Sequence, residues 1–211
     1  MFNIFRRDKS KVISPEKYDE IYKLLDKVSP VDFDCGKLCG AICCSCDSKP
    51  GKEEDDEFGS AAASDNEFDM GIYLMPGEGA YIKSKGGKDD FLWTKENPQD
   101  YDFPKSWKAP LTFIRCKTPP TCRRHLRPIQ CRTFPLAPHI DENGDLRLIC
   151  NAWELPYECP LISENMLLNG EFADAAYEAW KMLIEDPAIL DFVIMDSNLR
   201  EKNGIKFEYV I

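Results

Sequence analysis

Apolar and polar positions alternate with different periods along this chain, and the changes of period mark its elements. Tyr18, Ile21, Tyr22, Leu25 and Val28 recur at helical spacing after Ser14-Pro15, with acids in the first turn. This predicts a helix over about 15–28, capped by Ser14 and stopped at Ser29-Pro30. In "GIYLMPGEGAYIK" two short apolar runs flank Pro76-Gly77-Glu78-Gly79, the pattern of a β-hairpin. "FLWT", "LTFIRC" and "LRLIC" have strand character, the last preceded by a tight Asn143-Gly144 turn.

From Ser163 the period becomes helical again. Met166, Leu167, Phe172, Ala176, Trp180 and Leu183 fall near one stripe, broken near Asn169-Gly170, and Tyr177 and Trp180 are assigned to the core. A second helix opens at Pro187, and "IKFEYVI" closes the chain with strand alternation. The sum is an α+β fold: a small antiparallel sheet with flanking helices and irregular cysteine-rich loops. The chain has 211 residues, which suits a single domain.

Charge changes this picture at one place. The chain carries a net −10, and residues 47–69 hold nine acids against Lys49 and Lys52, so −7 of the total sits in one Gly-, Ser- and Ala-rich stretch. Such a composition buries too little apolar surface to offset its ordering entropy, and it reads as a flexible acidic loop. No segment approaches the roughly 18 apolar residues of a membrane span, and the first residues lack a signal-peptide core. The expected compartment is therefore a reducing cytoplasm.

The chemistry lies in ten cysteines, five of them within Cys35–Cys46, "CGKLCGAICCSC". A chain of this length can build a core without staples, and in a reducing compartment dense cysteines point to metal or redox chemistry before disulfides. On one straight helix, Cys35 and Cys43 would stand about 12 Å apart. Thiolates sharing a zinc ion lie about 4 Å apart. Gly36 and Gly40 permit the turns that convergence would need.

A second group, "CKTPPTCRRHLRPIQCRTFPL", holds Cys116, Cys122 and Cys131, stiffened by Pro119, Pro120 and Pro128. Arg115, Lys117, Arg123, Arg124, Arg127 and Arg132 accompany them with no intervening acid. Six cations could form a nucleic-acid patch. In an acidic chain, the preferred account is local: they offset the negative charge of thiolates.

The two segments together resemble the CxxCxxCC family of zinc- or iron-chelating proteins, the YkgJ-type cysteine-cluster family. The most specific part is Arg127-Pro128-Ile129-Gln130-Cys131-Arg132-Thr133-Phe134-Pro135. The first cluster departs from the family pattern, with three residues in place of two between successive cysteines. The resemblance implies a metal or iron-sulfur centre carried, residue by residue, by Cys35, Cys39, Cys43 and Cys44 with Cys116, Cys122 and Cys131. Cys46, Cys150, Cys159, His125 and His139 stand outside the pattern, with Cys150 and Cys159 the best placed to adjoin a site.

Thiolate softness selects zinc, copper(I) or iron-sulfur, with zinc the first choice and an iron-sulfur cluster next. Three functions follow: a structural or metal-handling protein, a metal-dependent enzyme with His125 or Glu78 carrying protons, or a nucleic-acid or protein adaptor. No phosphate-binding loop, paired-histidine metalloprotease motif or nucleophile elbow is present to support the enzyme.

Overall fold

The structure, a computed structural model, describes residues 13–45, 71–118, 121 and 123–211. The acidic stretch at 47–69, together with Cys46, Pro119, Pro120 and Cys122, lies outside the described residues.

Helix α1 spans Pro15–Leu25, with the Ser14 hydroxyl accepting from Lys17 N–H at 3.3 Å. It ends three residues before the pattern suggested, because Asp26 and Lys27 form a turn. Tyr18, Ile21, Tyr22 and Leu25 bury one face of it, and the helix packs on the later helix Gly170–Leu183. Two four-residue helices follow, α2 (Gly36–Cys39) and α3 (Ile42–Ser45).

The expected hairpin about Pro76-Gly77 is instead a two-residue strand, β1 (Ile72–Tyr73), followed by helix α4 (Glu78–Ser84). Glu78, Tyr81 and Ile82 are buried at i, i+3 and i+4, a helical spacing concealed because its first member is a carboxylate. Gly77, at φ 89°, sets the entry.

β2 (Phe91–Glu96) and β3 (Leu111–Cys116) form with β1 an antiparallel sheet in the order β1-β3-β2. β3 is central and ends at Cys116, which lies opposite Phe91, while Ile114 lies opposite both Ile72 and Trp93. The short helix α5 (Ile129–Thr133) then leads into β4 (Leu136–Ile140), which pairs with β5 (Leu146–Cys150) as a separate two-stranded sheet. Sequence reasoning passed over β4 because Pro135 and Pro138 discourage a strand. The Asp141–Asp145 turn does use Gly144 at φ 83°, and Asp141 Oδ1 accepts from Asn143 and Asp145 N–H, both at 2.9 Å.

After the single turn α6 (Pro160–Ser163), helices α7 (Gly170–Leu183) and α8 (Pro187–Lys202) cover the second sheet. Phe172, Ala176, Trp180 and Leu183 are buried as the stripe requires. Leu167 precedes α7 and is 94% exposed. The strand expected at the C-terminus reduces to one bridge, Ile149 with Tyr209, plus hydrogen bonds that tie Val210 and Ile211 to Leu148. The architecture is α+β, with two small antiparallel sheets in place of one. No helix among the described residues is long and apolar enough to cross a membrane.

The last residues cover His139, whose fully buried ring lies 4.6 Å from Phe207 and lacks a hydrogen bond at either nitrogen. Burial, and then the Arg200 guanidinium, push its pKa below the ordinary value. Protons therefore bind more tightly to the unfolded chain, so stability falls as the pH drops below about 6.5. Urea midpoints measured from pH 7 down to 5 should fall more steeply in the wild type than in His139→Gln; equal slopes would refute this assignment.

Candidate thiol site

The first cysteine segment is folded back on itself. α2 ends at Gly40 (φ 65°), and Ala41 also has a positive φ of 57° before α3 begins. Two successive left-handed residues reverse the chain, and Ala41 N–H closes the turn on Gly36 O at 2.9 Å. The turn that the cysteine spacing required is therefore present, made by Gly40 and Ala41; Gly36 is simply helical. Ala41 is a non-glycine residue in a region costing on the order of 1 kcal/mol or more, so the fold accepts strain where the cysteines change direction. Asn169, which caps α7, fixes the approach to this segment: its N–H donates to Pro30 O at 2.9 Å, and its Nδ2 to Ser29 O and Asp32 Oδ1.

Cys116 is placed by β3, and Cys131 by α5. The first N–H of α5, that of Ile129, donates to Glu78 Oε1 at 2.7 Å. The same carboxylate accepts from the Tyr22 hydroxyl at 2.9 Å and from Met75 N–H at 3.0 Å, and it is fully buried. Gln130 Nε2 donates to Tyr73 O at 2.6 Å. Arg132, 7% exposed, donates to Arg127 O, Arg124 O and Asp26 Oδ1, each at 2.6 Å, and its guanidinium stacks on Tyr22 at 4.5 Å. Thr133 Oγ1 accepts from Trp180 Nε1 at 3.3 Å. Most of the nine-residue signature is thus occupied in docking a five-residue helix that would not stand alone.

These elements bring Cys35, Cys43, Cys44, Cys116 and Cys131 to the wall of one cavity of about 180 Å³. Cys43 and Cys44 lie 3.9 Å apart, sulfur to sulfur, and Cys44 is also hydrogen-bonded to Cys116. Those two contacts, Cys116 first, pull the Cys44 thiol down to about 3. The same pairing pushes Cys43 up, and burial raises Cys35 against the opposing pull of Arg127. Cys39 is within electrostatic reach of Cys35 and Cys43 but does not line the cavity. Cys122 lies outside the described residues. Among the described residues, no group of three or more histidine, cysteine, aspartate or glutamate side chains is close enough to hold a metal ion. The sulfurs line a space and do not close on a point.

The residues outside the pattern separate clearly. Cys159 is buried with Val31 and Leu161 in a small apolar cluster that Cys35 and Tyr157 join, so it adjoins the site. Cys150, packed against the main core at the end of β5, does not line the cavity. His125 is exposed and His139 lies under the C-terminal residues, and neither lines the cavity. Glu78 is a structural acceptor with its oxygens engaged, so its assignment as a proton carrier is replaced by one as an anchor. Sequence reasoning missed Tyr157, which lines the cavity within reach of Cys43, Cys159, Cys131 and Cys44. Its place in "PYECPL", two residues before Cys159, was the available signal.

The cations divide by role. Arg124 and Arg127 line the cavity and act electrostatically on Cys35, as Arg127 does on Cys44. Arg132 is internal, and Arg123 pairs with Asp90 at 3.1 Å. This arrangement turns Arg124 and Arg127 toward the thiols, while Arg123 remains on the exposed surface. In comparisons with protein-family models, with curated proteins and with solved structures, nothing matches this chain, so the family resemblance rests on the two cysteine motifs alone.

Proposed function

We propose that this protein holds a soft inorganic centre, an iron-sulfur cluster or zinc, between residues 35–44 and 116–131, in a structural or metal-handling role. One observation carries the reading: five cysteines from two segments far apart in the chain line a single cavity, with Arg124 and Arg127 beside them. The donor set is soft, and two of its members already touch through Cys44. Zinc wants four sulfurs within about 4 Å of one another. Thiols spread around a void suit a centre of several atoms better, which favours the cluster. Free thiols in this number also suit a reducing compartment, the cytoplasm.

The enzymatic alternative finds no proton carrier in His125 or Glu78, neither of which lines the cavity. The adaptor alternative is weakened because, among the described residues, Arg132 is turned inward and Arg124 and Arg127 face the cavity. Metal and sulfide analysis of anaerobically purified protein, with an absorption spectrum, tests the proposal. Iron and sulfide with absorbance on the order of 400 nm identify a cluster, and stoichiometric zinc without colour identifies zinc. Cys44→Ser should reduce either content severalfold. Protein containing neither, with its thiols joined in disulfides, would overturn the reading.

A further inference from the structure

The cavity has a second character that a closed thiolate centre does not need. Leu25 and Val28 line it at the end of α1, and Ile72, Phe91 and Ile114 line it from the three-stranded sheet. The register places the change of chemistry. Cys116 and Ile114 are alternate residues of β3, both on the cavity wall, with Phe91 opposite the first and Ile72 opposite the second. Alternate strand residues share a face and stand roughly 7 Å apart, so the wall turns from sulfur to hydrocarbon within one rung of the ladder. A cavity of about 150 Å³ lined by aliphatic and aromatic side chains accepts benzene. At about 180 Å³, this one has comparable room.

We propose that the thiols and the apolar wall form one composite site for a soft, thiol-seeking ligand that carries a small apolar organic group, with trivalent mono-organic arsenic as the representative chemistry. Cys44, in contact with both Cys43 and Cys116, supplies one sulfur, and one of those neighbours supplies the other. In the binding step two thiols lose their protons, two arsenic–sulfur bonds form, and the oxygen on arsenic leaves as water. Arsenic stays trivalent, so no oxidant or reductant is needed. The organic substituent, retained on arsenic, lies against Ile72, Ile114 and Phe91.

The inference rests on the preceding reading only in requiring the thiols to be free for a soft centre, and its test is separate. The full-length reduced protein is titrated with phenylarsenic(III) oxide and with methylarsenic(III) oxide, which engage the same two thiols and differ only in the organic group. The same pair is titrated against dithiothreitol as a reference. Burial of the larger group predicts that the phenyl-to-methyl affinity ratio on the protein exceeds that on dithiothreitol by about tenfold or more. Val28→Trp and Ile72→Trp, which fill the cavity from different elements, should bring the phenyl-to-methyl ratio down to that of dithiothreitol. Cys44→Ser should lose both ligands.

A ratio equal to that of dithiothreitol, an excess that survives both tryptophan variants, or undiminished binding by Cys44→Ser would each overturn the inference. Protein that carries no metal yet prefers the phenyl compound would sink the metal reading and leave this one standing. Protein that is purified with a centre but, once stripped of it and reduced, shows no phenyl preference would do the reverse.

Discussion

Glu78→Ala is expected to destabilise the fold by about 3–5 kcal/mol, because three donors, the Tyr22 hydroxyl and the N–H groups of Met75 and Ile129, lose one shared buried acceptor. For a chain of this size, that corresponds to a fall in melting temperature on the order of 10 °C. Glu78→Gln keeps the shape and one acceptor oxygen, so its loss should be intermediate. The change should also reach the thiols. Glu78 holds the first N–H of α5, so Cys131 should react faster with an aromatic disulfide reagent in Glu78→Ala under conditions where the chain is still folded. Wild-type stability and unaltered Cys131 reactivity would show that the carboxylate is dispensable.

Arg132→Ala is expected to cost a similar amount, about 3–5 kcal/mol. The guanidinium joins Arg124 O and Arg127 O to Asp26 and stacks on Tyr22, so its removal unpairs two carbonyls and loosens the loop that carries Arg124 and Arg127. Lysine should not rescue it, since one ammonium on a flexible stem cannot reproduce a planar fork with three acceptors. Asp26→Ala should cost little, because that carboxylate is 42% exposed. Glu78 and Arg132 both secure α5 and both meet Tyr22, so the double variant should lose measurably less than the two single losses added together. Strict additivity in chemical denaturation would indicate two independent supports.

How much of this was visible in the chain can be argued from particular residues. α1 and α7 follow from their apolar stripes, α8 from the Asp186-Pro187 start signal, and strands β2, β3 and β5 from their short apolar runs. α4 was misread because its buried face begins with a carboxylate whose partners, Tyr22 and Ile129, are distant in sequence. β4 was missed because its prolines argue locally against a strand, whereas tertiary pairing with β5 decides the matter.

For the site, cysteine density and the Arg-Pro-x-x-Cys-Arg signature pointed to the two segments whose cysteines line the cavity. They did not reveal that Arg132 is structural, that Cys39 stands back from the cavity, or that Tyr157 lines it. Those facts depend on the mutual placement of α3, β3 and α5, which no local pattern encodes.

The anchoring of α5 by Glu78 bears on the order of events during biogenesis. Cys131 reaches the other sulfurs only once α1, α4 and α5 have docked around that carboxylate, and Cys116 only once β3 is paired. An isolated peptide covering 30–50 therefore lacks two of the five cavity thiols however favourable its own spacing. A centre gripped by all five thiols would tie the closing of its site to the docking of α5 and the pairing of β3, so that loading and folding would be coupled.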